Sequence, residues 1–326
     1  MLAARSTATG IAGGMPMSAE MTFRVADKVP EIWNPETGAV TPAAVWRAEA
    51  GRTVMPLHFT PFGSMFVVFR SGKDDAVQTI TRDGQACPEE IVWRRGKAVG
   101  IEAEKAGTYE LKLASGRTLK AEVRDVPAPI AFDGLWQVKF PAGWGAPAEA
   151  QMEAGSWTAH TDAGIRFFSG TATYGRDFDV PTDRLSSSRS HFLDLGKVKN
   201  LAEVSVNCQS AGILWKPPFR LDVTRLLRPG RNRLEIKVTN LWVNRMVGDE
   251  QQPDDCEWMP LRQQCNDASG QGIKHIPDWV WTGGPRPQKE RYTFTTWKFY
   301  NRDTPLLESG LLGPVSVQTA VSVPAK

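Results

Sequence analysis

Residues 193–250 read LDLGKVKNLAEVSVNCQSAGILWKPPFRLDVTRLLRPGRNRLEIKVTNLWVNRMVGDE, and the fold class turns on this stretch. Val204 and Val206 alternate with polar neighbours as a half-buried strand does, and Leu234, Ile236, Val238 and Leu241 repeat that period in RLEIKVTNLW. Between the two lies WKPPFRLDVTRLLRPGRN. There Pro217 and Pro218 block a central strand, Asp222 and Thr224 can cap a turn, and Pro229-Gly230 marks a reversal. The result is a looped β unit with little helix.

The same grammar extends in both directions. From about residue 130 to 318, LWQVKF, GTATYGRDFDV, HFLDLG, AEVSVN, GILW, RLDV, RLEIKVTNLW and PVSVQ supply the eight strands of a jelly roll, with loops gathered at its ends. From residue 21 to about 129, MTFRV, VMPLHF, SMFVVFR, IVWRR, GIEAE, TYELKL and TLKAEVR are short β-rich runs separated by Gly, Pro, Asp or Ser. No amphipathic run of helical length interrupts them, so they predict a β-sandwich. In PEIWNPETGAV, Asn34-Pro35 opens a turn that Thr37-Gly38 closes, leaving Trp33 beside a hairpin. VRDVPAPIAFDG, stiffened by Pro127 and Pro129, links the halves. The expected organisation is therefore a disordered lead-in over 1–20, a sandwich over 21–127, a jelly roll over 128–320 and a tail over 321–326.

The order of DLG, W.PPF, DVT, PG.N and N.W.NR..GDEQ carries a resemblance. It resembles the galactose-binding-like jelly roll in the C-terminal region of the glycoside hydrolase family 106 α-L-rhamnosidases. A looser form of it occurs in the sugar-binding domain of family 2 β-galactosidases. PEIWNPETGAVTPA and PLHFTPFGSMFVVFR are similar to the sandwich that follows the catalytic barrel in such enzymes, and Thr295, Thr296, Trp297 and Lys298 match the family's closing strand. The resemblance implies an all-β chain, an immunoglobulin-like β-sandwich followed by a galactose-binding-like jelly roll, in a carbohydrate context that is periplasmic or secreted. It brings no catalytic residue with it. The family's carboxylates stand on a (β/α)₈ barrel of ~250 residues, a pattern not found in this sequence.

Composition narrows the function. The 326 residues hold 39 basic and 36 acidic side chains mixed along the chain, so no basic stripe is offered to nucleic acid and no polybasic anchor to a membrane. No stretch approaches the ~20 apolar residues a bilayer span needs, and Gly and Pro interrupt the apolar run near the start, which makes it a poor secretory signal. The four cysteines, at 87, 208, 256 and 265, are too irregularly spaced for a disulfide framework or a zinc site. Only a Cys256–Cys265 bridge is close enough to consider, beside the reading of two free thiols. Twelve Trp against four Tyr is a rich supply of core area and of flat faces on which sugar C–H groups stack.

Residues 246–296 have no sustained period and are too long for an idle connection. They hold Asp249, Glu250, Asp254, Asp255 and Glu257, three Trp and His275. Three uses are open. As a glycan-binding surface, the groups are Trp242, Asn244, Arg245, Asp249, Glu250, Trp215 and Lys298: Arg brings a rigid fork and Asn a mixed donor and acceptor for vicinal hydroxyls, while Asn244 and Arg245 could equally cap the strand end and pair with Asp249. As a compact glycosidase, Asp249, Glu250 and Glu257 would supply the acid and base. As a scaffold, an apolar face would meet a catalytic barrel or a second copy of the chain. GDEQQPDD lacks the spacing of a calcium loop, so no metal is assigned, although clustered carboxylates leave calcium open as a cofactor. His275 lacks partners at zinc spacing, and there is no GxSxG, HExxH, phosphate loop or dinucleotide fingerprint.

Overall fold

A computed structural model describes residues 2–5, 15–87, 91–259 and 271–326. The chain is all-β and built from antiparallel sheets, with short α-helices at α1 (Ala163–Arg166), α2 (Val243–Asp249) and α3 (Asp278–Thr282). In the second half, the strands expected around Val204 and Ile236 are neighbours. A six-stranded sheet runs Glu149–Met152, Trp136–Lys139, Thr171–Val180, Gly230–Thr239, Leu201–Val206, Gln209–Leu214. The register sets Ala202 opposite Val238, Val204 opposite Ile236 and Val206 opposite Leu234, so the period-two pattern delivers one apolar face. That face meets strands Arg189–Asp194, Arg220–Asp222 and Ser316–Pro324 across a core holding Trp136, Trp157, Phe168, Leu193 and Val317. Trp157 packs edge-to-face on Phe168 and donates its indole N–H to the Tyr174 hydroxyl at 2.5 Å. Burial pushes the Tyr174 phenol up to about 12. Truncating Phe168 there would cost about 3–5 kcal/mol.

The span expected as a first sandwich carries two apolar cores. Phe23, Met55, Leu57, Phe59 and Val67 form one, where strands Lys28–Trp33 and Ser64–Ser71 face Met17–Phe23 and Arg52–Phe59. Val77, Ile80, Ile101, Tyr109 and Leu111 form the other, on strands Val77–Arg82, Ala98–Ala103 and Gly107–Leu113. The Asn34 turn is a hairpin: Asn34 Oδ1 accepts the backbone N–H groups of Glu36 and Thr37, and Ile32 pairs with Thr41.

Two boundaries shift. Leu2–Arg5 is a strand paired with Ser64–Val67 and Met17–Phe23 a strand paired with Arg52–Phe59, so the described parts of the expected lead-in are paired in sheets, and residues 6–14 of it lie outside the described residues. Residues 321–324, expected as tail, are the end of the Ser316–Pro324 strand. That strand pairs His191 with Thr319 on one side of the junction and Ile101 with Val323 on the other. It therefore serves two cores, and its alternation breaks at Thr319 and Ala320, both buried, where it passes from one to the next. Three polar ties join the two halves of the chain. Ser190 Oγ lies 2.5 Å from Glu102 Oε1, Lys216 pairs with Glu36 at 2.8 Å, and Arg220 pairs with Glu104.

Candidate functional site

The chain leaves the Gly230–Thr239 strand through Asn240. Its amide accepts from Gly170 N–H at 2.9 Å and donates to the Phe168 carbonyl and Ser309 Oγ, which stops the ladder and turns the backbone. Trp242 is then the N-cap of α2 and makes no side-chain capping bond. Tertiary partners replace the missing cap. Asn244, fully buried, donates to the Leu307 carbonyl at 2.7 Å and to Ser309 Oγ at 2.9 Å, and accepts from Leu307 N–H. One turn on, Asp249 is 1 % exposed and accepts from Arg245 Nε at 3.0 Å, from the N–H groups of Tyr292 and Thr293, and from Thr293 Oγ1 at 2.6 Å. Asn244 and Asp249, expected as sugar contacts, present no surface to a ligand: their polar atoms fasten α2 to residues 292–293 and 307–309.

The remaining acidic residues of the loop are also held. Glu250 takes Arg291 at 2.7 Å and Lys298 at 3.1 Å; Asp254 takes Lys298 at 3.1 Å. Asp255, 2 % exposed at its side chain, takes Arg286 at 2.5 Å and sits 3.7 Å from Arg291. Glu257 pairs on the surface with Lys274, whose hydrogen bond and charge hold it below the usual carboxylate range. Hydrogen bonds to Glu250 and Asp254 hold the Lys298 ammonium above its ordinary value, against the burial that would lower it. A glycosidase general acid needs the reverse, a carboxyl kept protonated by an apolar pocket. The space these groups enclose is about 20 Å³, room for a water and not for a sugar ring. Among the described residues no group of three His, Cys, Asp or Glu side chains could hold a metal ion. Cys265, and with it the Cys256–Cys265 bridge, lies outside the described residues.

On the other side of α2 the picture changes. An open cleft of about 410 Å³ is lined by Arg166 and Phe167 from α1 and its end, by Arg245 and Gly248 from α2, and by Gly145 and Tyr292. Backbones come close here. Gly145 has φ +86, and a Cβ at Gly164 would lie 2.0 Å from the Gly145 carbonyl oxygen. The Arg245 guanidinium lies over the Tyr292 ring at 4.8 Å and that of Arg166 over Phe167 at 4.9 Å. Trp144, next to Gly145, packs 5.3 Å from Trp242, which is 52 % exposed at the entry to α2.

The residues expected to act together are thus distributed. Arg245 lines the cleft and Trp242 adjoins it in the chain. Lys298 lies on the acidic side with Glu250. Trp215, 59 % exposed, belongs to a separate groove of about 380 Å³ with Asn34, Glu36 and His58, where Lys216 reaches across to Glu36 and Thr60. Arg166, Tyr292 and Trp144 were not legible as site residues. Their signal was at most an arginine beside an aromatic, in AGIRFF and KERYTF, and Asp162, whose carboxylate caps α1 at Ile165 N–H.

Comparison with known proteins gives this geometry a setting. No protein-family profile matches the chain. A provisionally named β-glucuronidase of Formosa agariphila is 43% identical over 233 residues, which is 71% of this chain and 19% of that protein. The solved structure of a rhamnosidase from Novosphingobium sp. PP1Y is 32% identical, with a TM-score of 0.62, over 94% of this chain and 22% of that one. The chain is thus similar to a β region of glycoside hydrolases, and it spans about a fifth of the length of the relatives it matches.

Proposed function

We propose that this chain is a non-catalytic, glycan-holding region of an α-L-rhamnosidase-like glycoside hydrolase, with the Trp144–Trp242 pair as its stacking face. The observation that carries this reading is the fate of the carboxylates at 249–257, each of which is spent on an arginine or lysine. None is left in a water-poor pocket as a proton donor, whereas an exposed Trp braced by a second ring is ready to take the C–H face of a sugar. The test is affinity for a panel of oligosaccharides, measured by titration calorimetry. Binding should weaken roughly tenfold or more in Trp242→Ala with the melting temperature nearly unchanged. Equal affinity in the variant would move the stacking face elsewhere, and absence of any glycan binding would sink the reading.

A scaffold role has its own support. Val280 and Trp281 of α3, with Ile276 and Phe299, leave apolar surface exposed, 73 % at Trp281 and 61 % at Phe299. Such a patch is suited to a catalytic module or a second copy of the chain. Sedimentation of the chain beside Trp281→Ser distinguishes self-association through this face from a monomer.

A further inference from the structure

Arginine has five N–H donors in a planar fork. Arg245, 5 % exposed, gives only Nε–H to a protein acceptor, Asp249, and that carboxylate is satisfied independently by Tyr292 and Thr293. Among the described residues Nη1 and Nη2 meet no protein acceptor. Both edges border the cleft: a Cβ on Gly145 would lie 3.2 Å from Nη1, and one on Gly248 2.4 Å from Nη2. Those glycines leave room for the outer edge of the fork. Arg166 brings a second guanidinium to the same cleft, and its Nε, buried, has no acceptor either. Burial outweighs Asp249 and draws Arg245 below its ordinary value, so an anion entering here would relieve a cost already borne by the fold. The one carboxylate of the lining, Glu290, is exposed at the rim.

Resting on the glycan-holding reading above, we propose that this cleft takes the carboxylate of an acidic sugar, so that the region binds uronate-bearing glycans in preference to neutral ones. A carboxylate is planar and matches the fork through parallel hydrogen bonds to Nη1 and Nη2, with Arg166 completing the counter-charge. The Tyr292 and Phe167 rings wall the cleft for the apolar face of the sugar, and its volume is within the range of small-ligand sites. Trp144, next to Gly145 in the chain, and Trp242, three residues before Arg245, pair as rings 5.3 Å apart.

The experiment is calorimetric titration of the full chain with a uronate oligosaccharide, its neutral counterpart, acetate and inorganic phosphate. Two variants accompany it: Arg166→Gln, which removes a partly exposed cation, and Ala163→Glu, which sets a carboxylate at the exposed mouth without touching a buried pair. The uronate ligand is expected to bind about tenfold to hundredfold tighter than the neutral one, the range of a charge-assisted hydrogen bond or two. Both variants should erase that margin, read as a loss of uronate affinity, in a chain that still melts cooperatively. Equal affinity for uronate and neutral glycans, or a margin that survives both variants, overturns the proposal while leaving the glycan-holding reading intact. Phosphate binding as tightly as the uronate overturns the acidic-sugar assignment in favour of a general anion site. Acetate bound and lost in Arg166→Gln, with no glycan bound at all, overturns the glycan-holding reading instead.

Discussion

The two sides of α2 contain the same kinds of side chain and put them to opposite uses. On one side Asp249, Glu250, Asp254 and Asp255 each pair with a cation among Arg245, Arg286, Arg291 and Lys298, in a space that admits a water. On the other, Arg245 and Arg166 keep donors with no acceptor among the described residues, in a cleft of about 410 Å³. Charge density is higher on the first side, yet its electrostatics are consumed by folding. Donors that border open space, rather than charge itself, set the candidate site apart from the scaffold.

The sharpest way to break the comparison is at its hinge. Asp249→Ala strands Arg245 as an unpaired buried charge and unties residues 292 and 293, and should cost about 3–5 kcal/mol in urea unfolding. A loss under about 1 kcal/mol would mean that the acidic side is not structural. Next in size is Trp242→Ala, which should cost glycan affinity and not stability. Arg166→Gln, at a half-buried guanidinium over Phe167, should cost about 1 kcal/mol or less and show chiefly as loss of preference for acidic sugars.

The smallest effect concerns the junction. His191, 2 % exposed, has its Nδ1 at 3.2 Å from Thr319 Oγ1, and burial lowers its pKa from the ordinary 6.5. The neutral imidazole is favoured in the fold, so the unfolded chain takes up a proton first as pH falls through 6.5, and stability must drop below that point and recover above it. Melting temperature followed from pH 7.5 to 5 should show this decline, at about the ordinary titration range of histidine, and His191→Gln should flatten it.

How far this was legible in the sequence depends on where each residue finds its partners. Strand pattern was readable because it is local: Ala202, Val204 and Val206 face Val238, Ile236 and Leu234 through nothing more than alternation. The Asn34 hairpin was readable for the same reason, since the side chain bonds the backbone two and three residues on. α2 was not. WVNRMVGD contains β-branched residues and no capping side chain, and extends as easily as it coils. Its helical state is selected by Leu307, Ser309, Tyr292 and Thr293, which lie more than forty residues away in sequence. The last strand misled in another way, because serving two cores breaks its alternation at Thr319 and Ala320. The lining of the candidate cleft was legible only in part. Arg245 and Trp242 stood out by type, but whether a polar side chain is spent or spare depends on acceptors that a single sequence does not place.

We propose that the acidic loop holds and does not cut. The most direct test is hydrolysis of aryl α-L-rhamnoside, β-galactoside, β-glucoside and β-glucuronide by the purified chain beside Glu250→Gln. No turnover above buffer is expected from either protein on any substrate. Turnover by the chain that Glu250→Gln abolishes would overturn the proposal and place an active site among the paired carboxylates of the loop.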